Sequence, residues 1–165
     1  MSFADDLARF AADTKEKANT VVRKVVLDVG VSVVTKSPVG DPEYWLFNRG
    51  TSESPDYVHY LAYRDPPEGY VGGHFRANWQ YGDGAQPDGE VSSVDASPGG
   101  SVTIGAIVSK LPKEAAGKIH YLVNNLPYAL RLEDGWSRQA PAGMVGLTVA
   151  EFHSMVEEAV REVGT

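Results

Sequence analysis

The sequence has no cysteine at all in 165 residues. That absence excludes a disulfide framework, a thiol nucleophile and every cysteine-based metal site. Positive charge is also scarce: 15 Lys and Arg stand against 22 Asp and Glu, for a formal net charge of −7. A chain so acidic is a poor candidate for conventional nucleic-acid binding, whose affinity comes from neutralising phosphates. Long apolar runs are missing too. The richest stretch, Val21 to Val34, is interrupted by Arg23, Lys24, Asp28 and Ser32, well short of the roughly 20 apolar residues of a membrane span. The opening MSFADDLARF carries two acids and no apolar core behind them, so no export signal is expected. What remains is the ordinary composition of a soluble globular protein, and the length favours one domain, since domains cluster at roughly 100–150 residues.

Catalytic grammar is equally thin. Four histidines, His59, His74, His120 and His153, form no i, i+4 pair and no HExxH frame. There is no GxSxG, no GxGxxG and no GxxxxGK[ST]. Glu133 and Asp134 are adjacent, so on an extended segment they point to opposite faces and suit a turn or a cap better than paired acid–base work. Arg76 near Trp79 resembles a base-stacking pair, but the local excess of acid argues against that role. No cofactor and no metal are expected.

The acidity is localised. Residues 37–100 hold ten acids and three bases, whereas the flanking segments are nearly neutral. The same middle segment is rich in Gly, Pro and Tyr.

Hydrophobic spacing organises the rest. Phe3, Leu7, Phe10, Thr14, Ala18, Val21, Val25 and Val29 recur every three or four residues and predict one long helix, started by Ser2 with Asp5 and ended at Ser37-Pro38. A turn-dense, aromatic excursion occupies residues 41–72. Strands are expected over Phe75–Tyr81, Val102–Val108 and Ile119–Val123, with Tyr128–Leu132 resuming the third. A capping box at Thr148 and Glu151 predicts a final helix with Val149, Phe152, Met155, Val156, Ala159, Val160 and Val163 on its apolar face. The fold class expected is therefore α+β: long first and last helices on a small antiparallel sheet, with a long inserted loop or hairpin. Trp79, Phe75, Leu132, Phe152 and Val156 are expected in the core. Glu133 is expected to satisfy backbone donors or to pair with Arg76 or Arg131.

Three segments are specific in combination: Ser37-Pro38-Val39-Gly40; Gly73-His74-Phe75-Arg76-Ala77-Asn78-Trp79; and Asn125 to Met144, with Tyr128, Leu132, Glu133, Gly135, Ser137, Gln139, Ala140, Pro141 and Gly143. Together they resemble the head–tail joining, or tail completion, proteins of long-tailed bacteriophages. The resemblance spans nearly the whole chain, although family members often join the first two segments with few residues where this chain places about thirty. It implies a small α+β subunit without known chemistry, set in a hexameric ring at the neck or upper tail. The implied location is the virion, assembled in the host cytoplasm. The implied partners are copies of itself and neighbouring neck and tail-tube proteins, with DNA passing through the ring and no membrane. The acids of residues 37–100 would partly line that channel. Subunit contacts are expected from Tyr44, Trp45, Tyr57, Tyr60 and Tyr63 in the excursion and from Trp136, Gln139, Pro141 and Met144. The rival readings are a tail terminator capping the tail tube, a small hydrolase using His120 and Glu133, and a host-directed interaction protein.

Overall fold

A computed structural model describes residues 2–40 and 68–164. The architecture is α+β. A 34-residue helix α1 (Phe3–Lys36) leads into a one-turn helix α2 (His74–Ala77) and strand β1 (Trp79–Asp83). Helix α3 (Ser101–Lys110), strand β2 (His120–Asn124), a short helix α4 (Ala129–Glu133) and the final helix α5 (Val145–Gly164) follow.

Helix α1 begins as its sequence dictates. Ser2 Oγ accepts from the Asp5 N–H at 3.3 Å, and the Asp5 carboxylate accepts from the Ser2 N–H at 2.9 Å, a reciprocal cap that satisfies two otherwise orphaned donors. The helix ends at Ser37, whose extended backbone (ψ 136°) obeys the restriction imposed by Pro38. At 1.5 Å per residue it is about 51 Å long.

The sheet has two antiparallel strands, with Trp79 opposite Asn124, Tyr81 opposite Leu122 and Asp83 opposite His120. Trp79 and Tyr81 point inward and join Val26, Val33 and Val34 of α1, Phe75, Ile107, Leu126, Ala140 and Met144 in one core. Helix α5 runs antiparallel along α1. Thr148 shares a 2.8 Å hydrogen bond with Ser32, Glu151 accepts from Lys36, and Lys24 pairs with Glu162 at 3.3 Å nearer the far end.

Four expectations are corrected. Phe75–Tyr81 is not one strand: Gly73, in the left-handed region at φ 84°, launches a helical turn, and only Trp79 onward is extended. A Cβ on Gly73 would strike the Asp95 backbone carbonyl, so the position needs glycine for space as well as for φ. Val102–Val108 is helix, not strand. Its β-branched residues favour extension, but the Asp95 carboxylate accepts from the Thr103 N–H at 2.7 Å at the start of α3, and Thr103 and Ile107 are buried one turn apart. The cap and the period-four burial prevail over propensity. Tyr128–Leu132 likewise winds into α4 instead of resuming a strand. Finally, Thr148 and Glu151 do not form a capping box. Helix α5 starts three residues earlier, and Thr148 lies within it, donating back to the Met144 carbonyl at 2.8 Å.

Candidate functional site

The three motif segments converge on one another. Ser37 Oγ donates to the Val33 carbonyl at 2.6 Å and accepts from Trp79 Nε1 at 2.7 Å, fully enclosed. Arg76 is buried; its guanidinium donates to the carbonyls of Ser37 (3.3 Å) and Ser97 (3.0 Å). The Val39 carbonyl accepts from the Gly73 N–H, closing the neck of the excursion. The Val39 N–H in turn donates to Gln139 Oε1 at 2.9 Å. Asn78, fully buried, accepts from the Val91 N–H and donates to the carbonyls of His74 and Val91, all at 2.8–2.9 Å. Polar groups so deeply placed are tolerated because nearly every one is matched; the Nε of Arg76 is the exception among the described residues.

Glu133 resolves the choice left open by the sequence. Its carboxylate accepts from the N–H groups of Met144 (2.9 Å), Val145 (2.9 Å) and Gly146 (2.8 Å). These are orphan donors at the start of α5, and the carboxylate also meets the positive end of the helix dipole. Partial burial pushes the Glu133 carboxyl up, but the three N–H bonds outweigh it and hold it below the ordinary 4.5. Gly143, at φ 74°, is required here: a Cβ would collide with Glu133. The Asp95 carboxyl is treated alike. Burial raises it, and the bonds from Ser97 and Thr103 leave it lowered.

His120 and Glu133 do not form a pair. His120 Nε2 faces the Ala115 carbonyl at 2.9 Å, which only accepts, so that nitrogen carries the proton. Nδ1 then accepts from the Tyr81 hydroxyl at 2.8 Å, with the two rings stacked at 24°. His120 lines an apolar groove of about 550 Å³ between α1, α5 and β2, together with Val25 and Phe152. Glu133 lines a different hollow of about 570 Å³ beside Trp79, Asn125 and Leu130. The two groups that the hydrolase alternative joins thus open on separate cavities, and each is committed to a local partner. Among the described residues no three His, Asp or Glu gather into a metal-binding group.

The expected contact residues divide. Tyr44, Trp45, Tyr57, Tyr60 and Tyr63, like His59, lie outside the described residues. Trp136 is 66% exposed, with Arg131 over its ring at 5.4 Å. Pro141 is exposed, and its carbonyl packs where Gly135 (φ 82°) has no Cβ. Gln139 is exposed but spends its side-chain carbonyl on Val39. Met144 is corrected: at 1% exposure its side chain packs in the core with Phe75, Trp79, Leu126 and Ala140 and is not on the surface of the single chain. Phe152, expected in the core, is 47% exposed on the rim of the α1–α5 groove, and Val156 is half-buried beside it.

Two groups stand out among the exposed apolar side chains. Leu130, Trp136 and Val149 are exposed on or near α4 and the start of α5. Separately, Phe3, Leu7 and Phe10 project from the free half of α1 at 82%, 56% and 69% exposure. Sequence reasoning missed Asp95 and Asn78, which bond partners eight and thirteen residues away, beyond any short-range cap pattern. No helix among the described residues is long and apolar enough to cross a membrane. Comparison with protein-family models, curated proteins and solved structures finds no match.

Proposed function

We propose that this chain is a structural subunit of a tailed-phage particle, forming a ring at the head–tail junction or upper tail and joining or completing the tail. The observation that carries the reading is the use made of the motif residues. Ser37, Arg76, Trp79, Gln139 and Glu133 bond to one another's segments or to backbone, so these most specific parts of the sequence are used to build a scaffold. What the scaffold presents is apolar: Leu130, Trp136 and Val149 around the α4–α5 corner. Exposed clusters of large apolar side chains mark contact sites, and Trp beside Arg is the composition of interface hot spots. A head-to-tail ring needs two different matching surfaces. In this reading the α4–α5 corner is one and the aromatic excursion supplies the other.

The test is particle content and complementation. Particles of the phage or prophage encoding this chain should contain it in a small, fixed number of copies, and Trp136→Asp should fold normally yet fail to be incorporated. Absence from purified particles, or turnover of a small substrate by the pure protein, overturns the reading.

A further inference from the structure

The free half of α1 poses a separate question. Phe3, Leu7 and Phe10 follow the i, i+4, i+7 spacing of a helix made to lie in a groove, and all three are exposed. The same chain carries such a groove: Val22, Val25 and Val29 of α1 form its floor, with Phe152 and Val156 on its wall. The plug and the groove belong to one continuous helix, so the plug cannot fold back into its own groove. Only another molecule can join them.

The register identifies that molecule. When α1 is laid against a reversed copy so that Phe3 meets Val29, the same placement brings Leu7 to Val25, Phe10 to Val22 and Thr14 to Ala18. Both sets keep the three-four spacing about a centre at Glu16. Glu16 sits two residues from both Thr14 and Ala18, a rotation of about 200° that turns it to the opposite face and keeps like charges apart. Asp13 and Lys17 fall on one flank of the seam and Lys15 and Asn19 on the other; the two-fold brings Lys17 near both Asp13 and Lys17 of the other copy, and Lys15 near its own counterpart, so the pairing rests on the apolar stripe and not on charge. Both ends of the pair are filled, so Phe3, Leu7 and Phe10 of each copy leave water together with the exposed parts of Val22, Val29 and Phe152, while Val25 is already buried. That removes on the order of 1,000–1,500 Å² in total, the lower range of stable interfaces.

We propose that the free protein is a two-fold dimer in which antiparallel α1 helices pair about Glu16, each sending Phe3, Leu7 and Phe10 into the α1–α5 groove of the other. This goes beyond the ring reading and does not depend on it, since a ring is built head-to-tail and a two-fold contact is not.

Sedimentation equilibrium of the full chain tests it. The expected mass is twice 17.8 kDa, with dissociation at roughly 1–10 µM. Leu7→Asp, at a position exposed in the single chain, should weaken pairing about 100-fold or more because each substitution acts twice. Val102→Asp, exposed on α3, should leave pairing unchanged. Since the chain has no cysteine, register can be read by oxidation: a Thr14→Cys chain mixed with an Ala18→Cys chain should give the mixed disulfide in preference to either self-linked product. A native chain that remains at 17.8 kDa up to about 100 µM overturns the proposal. So does a dimer indifferent to Leu7→Asp, or a Thr14→Cys chain that links mainly to itself. A monomer that binds anionic vesicles through Phe3 and Phe10 would assign the stripe to a lipid surface and overturn it equally. None of these outcomes bears on whether the chain is found in particles.

Discussion

The two halves of α1 share one helical period and differ in everything else. From Val25 to Val34 the valines meet Trp79, Ile107 and the final helix, and Val34 is fully buried. From Phe3 to Phe10 an equally regular apolar stripe is exposed, at 82%, 56% and 69% for Phe3, Leu7 and Phe10. Near the middle of the helix Asn19 accepts from the N–H groups of Ala115 and Ala116 at 2.8–2.9 Å and Lys15 pairs with Glu114 at 3.3 Å. The contrast teaches that periodicity fixes which face of a helix is apolar, whereas what covers that face is a tertiary fact.

Substitutions should separate the halves sharply. Val34→Asp places an unpaired carboxylate in the core and should unfold the chain, a loss of about 4 kcal/mol or more by denaturant titration. Trp79→Ala removes the ring that joins β1 to Ser37 and should cost about 3–5 kcal/mol, with Ser37→Ala costing about 1–3 kcal/mol through the stranded indole N–H. Glu133→Ala should cost about 2 kcal/mol by freeing three N–H groups at the start of α5, read as a lowered urea midpoint with an unchanged slope. At the other extreme, Leu7→Asp should alter the stability of the dilute single chain by no more than about 0.5 kcal/mol. A large loss there would show that the free half is covered from within after all.

Acid provides a subtler test. Asp95 and Glu133 are both held below their ordinary values of 3.8 and 4.5 in the fold. Protons therefore bind the unfolded chain first, so the stabilisation is complete above those values and drains away as pH falls through them. Urea midpoints should decline from about pH 5 downward, and Glu133→Gln should flatten part of that decline while lowering the plateau. A midpoint that rises on acidification would reverse the assigned sign.

Much of this was legible in the residues. The cap at Ser2, the stop at Ser37-Pro38, the strand near Ile119–Val123 and the α+β class all follow from local chemistry, as does the inward alternation of Trp79 and Tyr81. The errors share one cause. Val102–Val108 alternates like a strand and Tyr128–Leu132 reads as the continuation of one, but the deciding contacts come from elsewhere: Asp95 for α3 and the packing of Leu126, Ala129 and Leu132 for α4. The start of α5 was misplaced because its cap, Glu133, lies twelve residues before Val145 and not at a neighbouring position. Of the residues expected to make subunit contacts, Trp136, Gln139 and Pro141 are exposed in the single chain. Met144 is not, and nothing local marks a methionine after Gly143 as buried.

A reconstruction of the intact particle is the most direct measurement. Density traceable as this chain, repeated as a closed ring where head meets tail with Trp136 seated against the next subunit, is what this account predicts. A junction and tail fully traced without this chain would contradict it.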